Sequence, residues 1–146
     1  MYMNRILIFT VLSLVLMLSS CSSSGQNNKV KSLDTKAFKE NVFNYDLNSN
    51  WKFEGNKPAI VDFYASWCGP CKRMSPVMEE LANEYDSKVN VYKVNVDAEQ
   101  SLAQYFGIQS IPTFLLIPIN GKPRIIQGVV AYEAFKNTIN ENLLNN

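Results

Sequence analysis

"SWCGPCKR", Ser66 to Arg73, carries two of the three cysteines of a 146-residue chain. Cys68 and Cys71 are separated by Gly69 and Pro70 alone. As a structural staple the pair is poor. A ring that small removes about 2 kcal/mol of chain entropy from the unfolded state, against roughly 3 for a fifteen-residue loop. As a metal site it is incomplete, because structural zinc takes four ligands, usually Cys or His, and the sequence contains no histidine; that leaves only a site completed by carboxylates or a cluster shared between two chains. As a redox reagent the spacing makes sense. At the start of a helix, Cys68 occupies the N-cap and Cys71 lies one turn on, on the same face. Unpaired N–H groups and the positive end of the helix dipole favour a thiolate there, and such pairs have depressed thiol pKa values. Pro70 suits a first helical turn, where its missing N–H costs nothing. Gly69 leaves room for another protein to approach. Cys68 is therefore expected to attack a substrate disulfide, and Cys71 to resolve the mixed disulfide and release the reduced substrate.

The residues on either side place this motif in an α/β domain. "AIVDFYA", Ala59 to Ala65, is a nearly continuous apolar run, as in a strand buried on both faces. Its exception is Asp62. A lone carboxylate in such a strand is costly unless paired or protonated. Two readings follow: an acid–base group that deprotonates Cys71, tuned by Lys93 on a neighbouring strand, or a structural Asp–Lys pair. Cys68 to about Tyr85 reads as a helix, with Met74, Val77, Met78, Leu81 and Tyr85 at three- and four-residue steps and Pro76 kinking it. "SIPTF", Ser110 to Phe114, sets a proline at the mouth of a buried strand. A cis Ile111–Pro112 bond there would free the Ile111 backbone to pair with an extended substrate, whereas a trans bond would only start the strand. Trp67 is either a contact surface or core packing.

Further out, Lys29–Leu33 reads as a short edge strand. Asp34 or Thr35 caps a helix running to Phe43. Residues 44–58 are rich in Asn and lack a period, which predicts a long loop. Val89–Val96 reads as an alternating strand with its valines on one face. "DAEQ", Asp97 to Gln100, signals the start of a short helix that Gly107 ends. Thr113–Ile117 is a second buried strand, and Asn120-Gly121 turns the chain into Pro123–Gln127. Tyr132 to Leu144 closes with an amphipathic helix directing Phe135, Ile139 and Leu143 inward. The order β-α-β-α-β-α-β-β-α implies a mixed sheet covered on both faces.

The N-terminus predicts an export signal. Arg5 precedes an apolar run from Ile6 to Leu18, broken by Thr10 and Ser13. Thirteen helical residues reach about 20 Å, short of a hydrocarbon core of about 30 Å, so a leader fits better than a membrane span. "LSSC", Leu18 to Cys21, resembles the bacterial lipobox, whose cysteine is lipidated and becomes the new N-terminus. The alternative is an ordinary secretory leader beside a chance cysteine. The expected organisation is a signal peptide over 1–20, lipidated Cys21 with a polar flexible tether over 21–28, and one domain over 29–146. Cleavage removes Arg5 from the 14 Lys+Arg, leaving 13 against 13 Asp+Glu. A chain so balanced gives no sign of a nucleic-acid partner. The expected location is a membrane-anchored lipoprotein facing the periplasm, and the expected state a monomer.

Taken together, these residues resemble the thioredoxin family. "WCGPCK", Trp67 to Lys72, matches the active-site motif of that family letter for letter. "VDFYA", Val61 to Ala65, carries the family's buried aspartate as Asp62, with Tyr64 where the family usually has tryptophan. Lys93, Pro76, Ile111-Pro112-Thr113, Gly121 and Gly128 also fall in the family's places, and the likeness spans about Val30 to Asn142. The resemblance implies the thioredoxin fold, with about five strands and about four helices. It implies an acid–base role for Asp62, a cis Pro112, and substrate contacts at Trp67, Gly69, Pro70, Ile111, Pro112 and Gly128. It implies no cofactor or metal beyond the redox-active Cys68–Cys71 disulfide, and disulfide-containing proteins as partners. The leader departs from the family, so cytoplasmic thioredoxin reductase and NADPH are not to be assumed as the electron source. A membrane thiol electron transporter is expected in its place. Oxidants of this superfamily carry a histidine between the cysteines that stabilises the reduced form. Gly69-Pro70 supplies no such group, which predicts a reductase of protein disulfides. An isomerase or oxidase of exported proteins, and a tethered peptide-binding module without turnover, are the rival readings.

Overall fold

The computed structural model describes residues 28–145. The signal peptide expected over 1–20 and Cys21 lie outside the described residues, as does the tether except for Asn28. Five strands form one mixed sheet in the order β1-β3-β2-β4-β5: Lys31–Ser32, Ala59–Tyr64 (β2), Asn90–Asn95 (β3), Thr113–Ile117 (β4) and Arg124–Gln127. β1 and β2 run parallel to β3, and β4 runs antiparallel to both β2 and β5. Four helices cover the sheet: α1 (Thr35–Asn41), α2 (Gly69–Glu84), α3 (Gln100–Tyr105) and α4 (Tyr132–Ile139). A π-helical turn over Asn140–Leu144 extends the last. This is the mixed five-stranded thioredoxin fold expected from the sequence.

Two apolar layers sandwich the sheet. Beneath α2 and α4, Met74, Met78, Leu81, Phe135 and Ile139 pack on Ile60, Val91, Phe114 and Leu116. Beneath α1 and α3, Phe38 and Leu102 pack on Val61, Phe63, Tyr92, Val94 and Leu115. The central strands are buried on both faces, so their sequences show no strict alternation. The expectation that the valines of β3 share a face is wrong for this reason: Val91 enters the first layer and Val94 the second.

The helix ends follow from local chemistry, with one correction. Asp34 caps α1, its side chain accepting from the Ala37 N–H at 2.7 Å. At α3 the N-cap is Glu99, without a side-chain cap bond, rather than Asp97. The Glu99 carboxylate instead accepts from the backbone N–H and hydroxyl of Thr35, at 3.0 and 2.6 Å, joining α3 to α1. Gly107 ends α3 at φ +63°, a conformation that suits glycine. The loop over 44–58 forms neither helix nor strand, but Tyr45, Trp51 and Phe53 fold onto the second layer. Among the described residues no helix is long and apolar enough to cross a membrane.

Candidate functional site

β2 delivers the chain to the site. Ala65 is buried at its end, and the Cys68 N–H returns to the Ala65 carbonyl at 3.2 Å. Cys68 then sits at the N-cap of α2 in extended conformation, with Pro70 in the first helical turn, as the motif predicts. Its sulfur accepts from the backbone N–H of Cys71 at 3.1 Å. Cys68 and Cys71 form a disulfide with Cα atoms 5.3 Å apart. Once reduced, a Cys68 thiolate would keep that N–H and the positive end of the helix dipole beside it. Both cysteines are buried, clustered with Ala65 and flanked by Tyr64, Val96 and Ile111.

The Ile111–Pro112 peptide bond is cis. It brings the Ile111 carbonyl oxygen 3.8 Å from the Cys68 sulfur. The Thr113 hydroxyl donates to the Ser110 carbonyl at 2.6 Å and closes the turn. On the far side, the Gly128 N–H donates to the Pro112 carbonyl at 2.8 Å. Gly128 has φ +85°, which restricts that bend to glycine or a strained substitute. The sequence-predicted residues from three separate segments therefore meet at one end of the sheet. Gly69 is exposed, and a Cβ there would meet no atom within 4 Å. Trp67 is 69% exposed, which makes it surface and not core. Its indole N–H donates to the Asp97 carboxylate at 2.9 Å. Sequence reasoning missed this role for Asp97, although an exposed indole beside a motif cysteine needs an acceptor to hold its pose.

Asp62 lies one layer below. On β2 it falls between Ile60, in the core beneath α2, and Tyr64, which packs against the cysteines. Its sheet neighbours are Lys93 on β3 and Phe114 on β4. It is 6% exposed, and its Oδ1 has no hydrogen-bond partner among the described residues. Burial pushes its pKa up to about 7, with the Lys93 charge pulling in the opposite direction. The Lys93 ammonium lies 6.0 Å from the centroid of the Tyr64 ring. A carboxyl half-ionised near neutral pH can both take and return a proton. No group of three or more His, Cys, Asp or Glu side chains converges on a metal-sized site among the described residues.

Comparison with known proteins agrees with this geometry. A family model described as Thioredoxin matches residues 29–141. The thioredoxin of Borreliella burgdorferi is 44% identical over 110 residues, which is 75% of this chain and 94% of that protein. The thioredoxin of Pyropia yezoensis is 35% identical over 112 residues, 77% of this chain and 95% of the relative. A crystal structure of chloroplastic thioredoxin z superposes with a TM-score of 0.66 at 26% identity, covering 77% of this chain and 93% of that one.

Proposed function

The chain belongs to the thioredoxin family and is a thiol–disulfide oxidoreductase whose redox group is its own cysteine pair, and from that premise we propose that it reduces protein disulfides outside the cytoplasm. The observation that carries the chemistry is Cys68 at the N-cap of α2, disulfide-bonded to Cys71 above the unpartnered carboxyl of Asp62. In the dithiol form, the Cys68 thiolate attacks one sulfur of a client disulfide and expels the other as a thiolate. The client strand lies against Trp67, Gly69, Pro70, Ile111, Pro112 and Gly128. Asp62, in its ionised fraction, takes the proton of the Cys71 thiol. The Cys71 thiolate then attacks the Cys68 sulfur, expels the second client thiolate and leaves the Cys68–Cys71 disulfide. Two electrons pass to the client, and Asp62 returns its proton to solvent. Lys93 sets how readily Asp62 ionises.

The extracytoplasmic part of this reading is supported by the N-terminal sequence: Arg5, the apolar run from Ile6 to Leu18, and "LSSC" before a polar stretch. Residues 1–20 act as a leader, Cys21 carries lipid, and residues 29–146 form the catalytic domain. A membrane thiol carrier then returns the pair to the dithiol. Trapping tests the proposal. In a Cys71→Ser variant, Cys68 is expected to accumulate mixed disulfides with exported proteins, absent when Cys68 is also Ser. Accumulation on cytoplasmic proteins alone would sink the location, and no mixed disulfides at all would sink the turnover. Palmitate labelling that persists in Cys21→Ala would remove the lipid assignment.

A further inference from the structure

Five of the six cations at the end of the sheet remote from the disulfide make no ion pair among the described residues, although the described chain has acids enough to pair them. β1, β2 and β3 run parallel, and β2 ends at the active site. Their N-terminal ends therefore form the opposite pole. Asn28, Lys29, Lys31 and Lys57 line a cleft of about 220 Å³ there, with Asp86. Lys88 lies two residues before β3 at the same end. The β4–β5 turn reaches this pole as well, since Ala59 pairs with Ile117, and it lines a second cleft of about 310 Å³ with Lys122 and Arg124 beside Glu141. Lys29 is bonded to Asp86 at 3.0 Å. Lys31, Lys57, Lys88, Lys122 and Arg124 form no ion pair among the described residues. Elsewhere Lys36, Lys39, Lys52 and Lys136 each meet a carboxylate, whereas Lys72, Arg73 and Lys93 form no ion pair among the described residues.

We propose that this pole docks on anionic phospholipid headgroups and turns the disulfide away from the membrane. The occupant follows from charge and from where the chain enters. The described chain begins at Asn28, on the rim of the first cleft. Six residues, 22–27, separate it from Cys21, so the two positions lie at most about 25 Å apart. A lipid on Cys21 keeps that pole close to the bilayer surface, so this inference rests on the lipoprotein reading for its membrane. Cations within a Debye length of an anionic surface, about 8 Å at physiological salt, are attracted to it one by one. The remainder of the described chain, with seven cations against eleven acids, is not. The docked orientation presents Trp67, Cys68 and Pro112 to soluble clients.

The test is lysine acetylation read by mass spectrometry on the full mature chain, with vesicles of phosphatidylcholine alone or with about one-third phosphatidylglycerol. Lys31, Lys57, Lys88 and Lys122 should label about threefold more slowly or less on phosphatidylglycerol, and recover in about 0.5 M salt. Lys72, in the first turn of α2, should label equally on both. The triple variant Lys31→Glu, Lys57→Glu, Lys88→Glu, remote from the cysteines, should lose the protection left at Lys122 while keeping turnover. Equal labelling on both vesicles, or protection of Lys72 in place of the pole, would overturn the inference. A chain that fails to float with phosphatidylcholine loses the lipid assignment, and its labelling on phosphatidylglycerol still decides the pole.

Discussion

Among the described residues, the two layers of the core each hold one buried polar side-chain atom without a hydrogen-bond partner, and the two atoms differ in kind. Beneath α2 it is Oδ1 of Asp62, and in the layer beneath α1 and α3 it is Nε1 of Trp51. Both cost desolvation energy. The indole N–H cannot titrate near neutral pH, and it sits among Phe43 and Phe106, on the opposite face of the sheet from Asp62 and α2. The carboxyl can titrate, and burial has moved it to where it exchanges protons at pH 7. On the proposed mechanism the unpaired carboxyl serves the resolving step, while the same defect in the other layer is only a packing cost.

Substitutions can break that comparison, beginning with the largest effect. Cys68→Ser should abolish reduction of a disulfide-bonded client, a loss of about 1000-fold or more in turnover, because no other group forms the mixed disulfide. Retained function in that variant would favour a non-catalytic binding module. Asp62→Asn should act on stability and rate in opposite directions. The Asp62 carboxyl titrates near 3.8 when unfolded and at about 7 when folded. Between those values the folded chain holds the extra proton, so stability falls as pH rises through the window and the penalty is complete above it. Removing the carboxylate should stabilise the protein by about 4 kcal/mol at pH 8 and scarcely at pH 4, as denaturant titrations would show. Resolution of the mixed disulfide should slow by about 100-fold at pH 7. A wild-type resolution rate would strip Asp62 of its acid–base role.

In the other layer the effects shrink and separate from chemistry. Asp34→Ala removes the α1 cap and should cost about 1 kcal/mol with turnover per folded molecule unchanged. Trp51→Phe exchanges an orphan N–H for a little lost area, and should change stability by less than about 1 kcal/mol at any pH. A pH-dependent effect of Trp51→Phe would erase the distinction between the layers.

Most of this site was legible in sequence because its chemistry is local. Cys68, Gly69, Pro70 and Cys71 define a helix start by themselves, and a charged residue within "AIVDFYA" is conspicuous wherever the strand sits. The cis bond before Pro112 came from family resemblance, and the meeting of Gly128 with Pro112 is seen only in the structure, since no local rule brings residues 112 and 128 together. Asp97 was misread as a helix cap because its partner, Trp67, is thirty residues away. The helix caps instead at Glu99, whose carboxylate is committed to Thr35. The loop over 44–58 showed no period because its aromatic side chains are placed by the α1 and α3 layer and not by a repeating backbone. Its rings nevertheless order it: Trp51 lies 4.7 Å from Phe43, and Tyr45 stacks on Tyr105 at 4.2 Å.

The central claim is that the Cys68–Cys71 pair gives electrons to client disulfides. The most direct measurement is its reduction potential in the full mature chain, equilibrated against a thiol–disulfide buffer. A reductase should sit near the value of about −270 mV already characteristic of thioredoxins. A potential between about −180 and −120 mV, the range of isomerases and oxidants, would contradict the account and make the protein a source or reshuffler of disulfides.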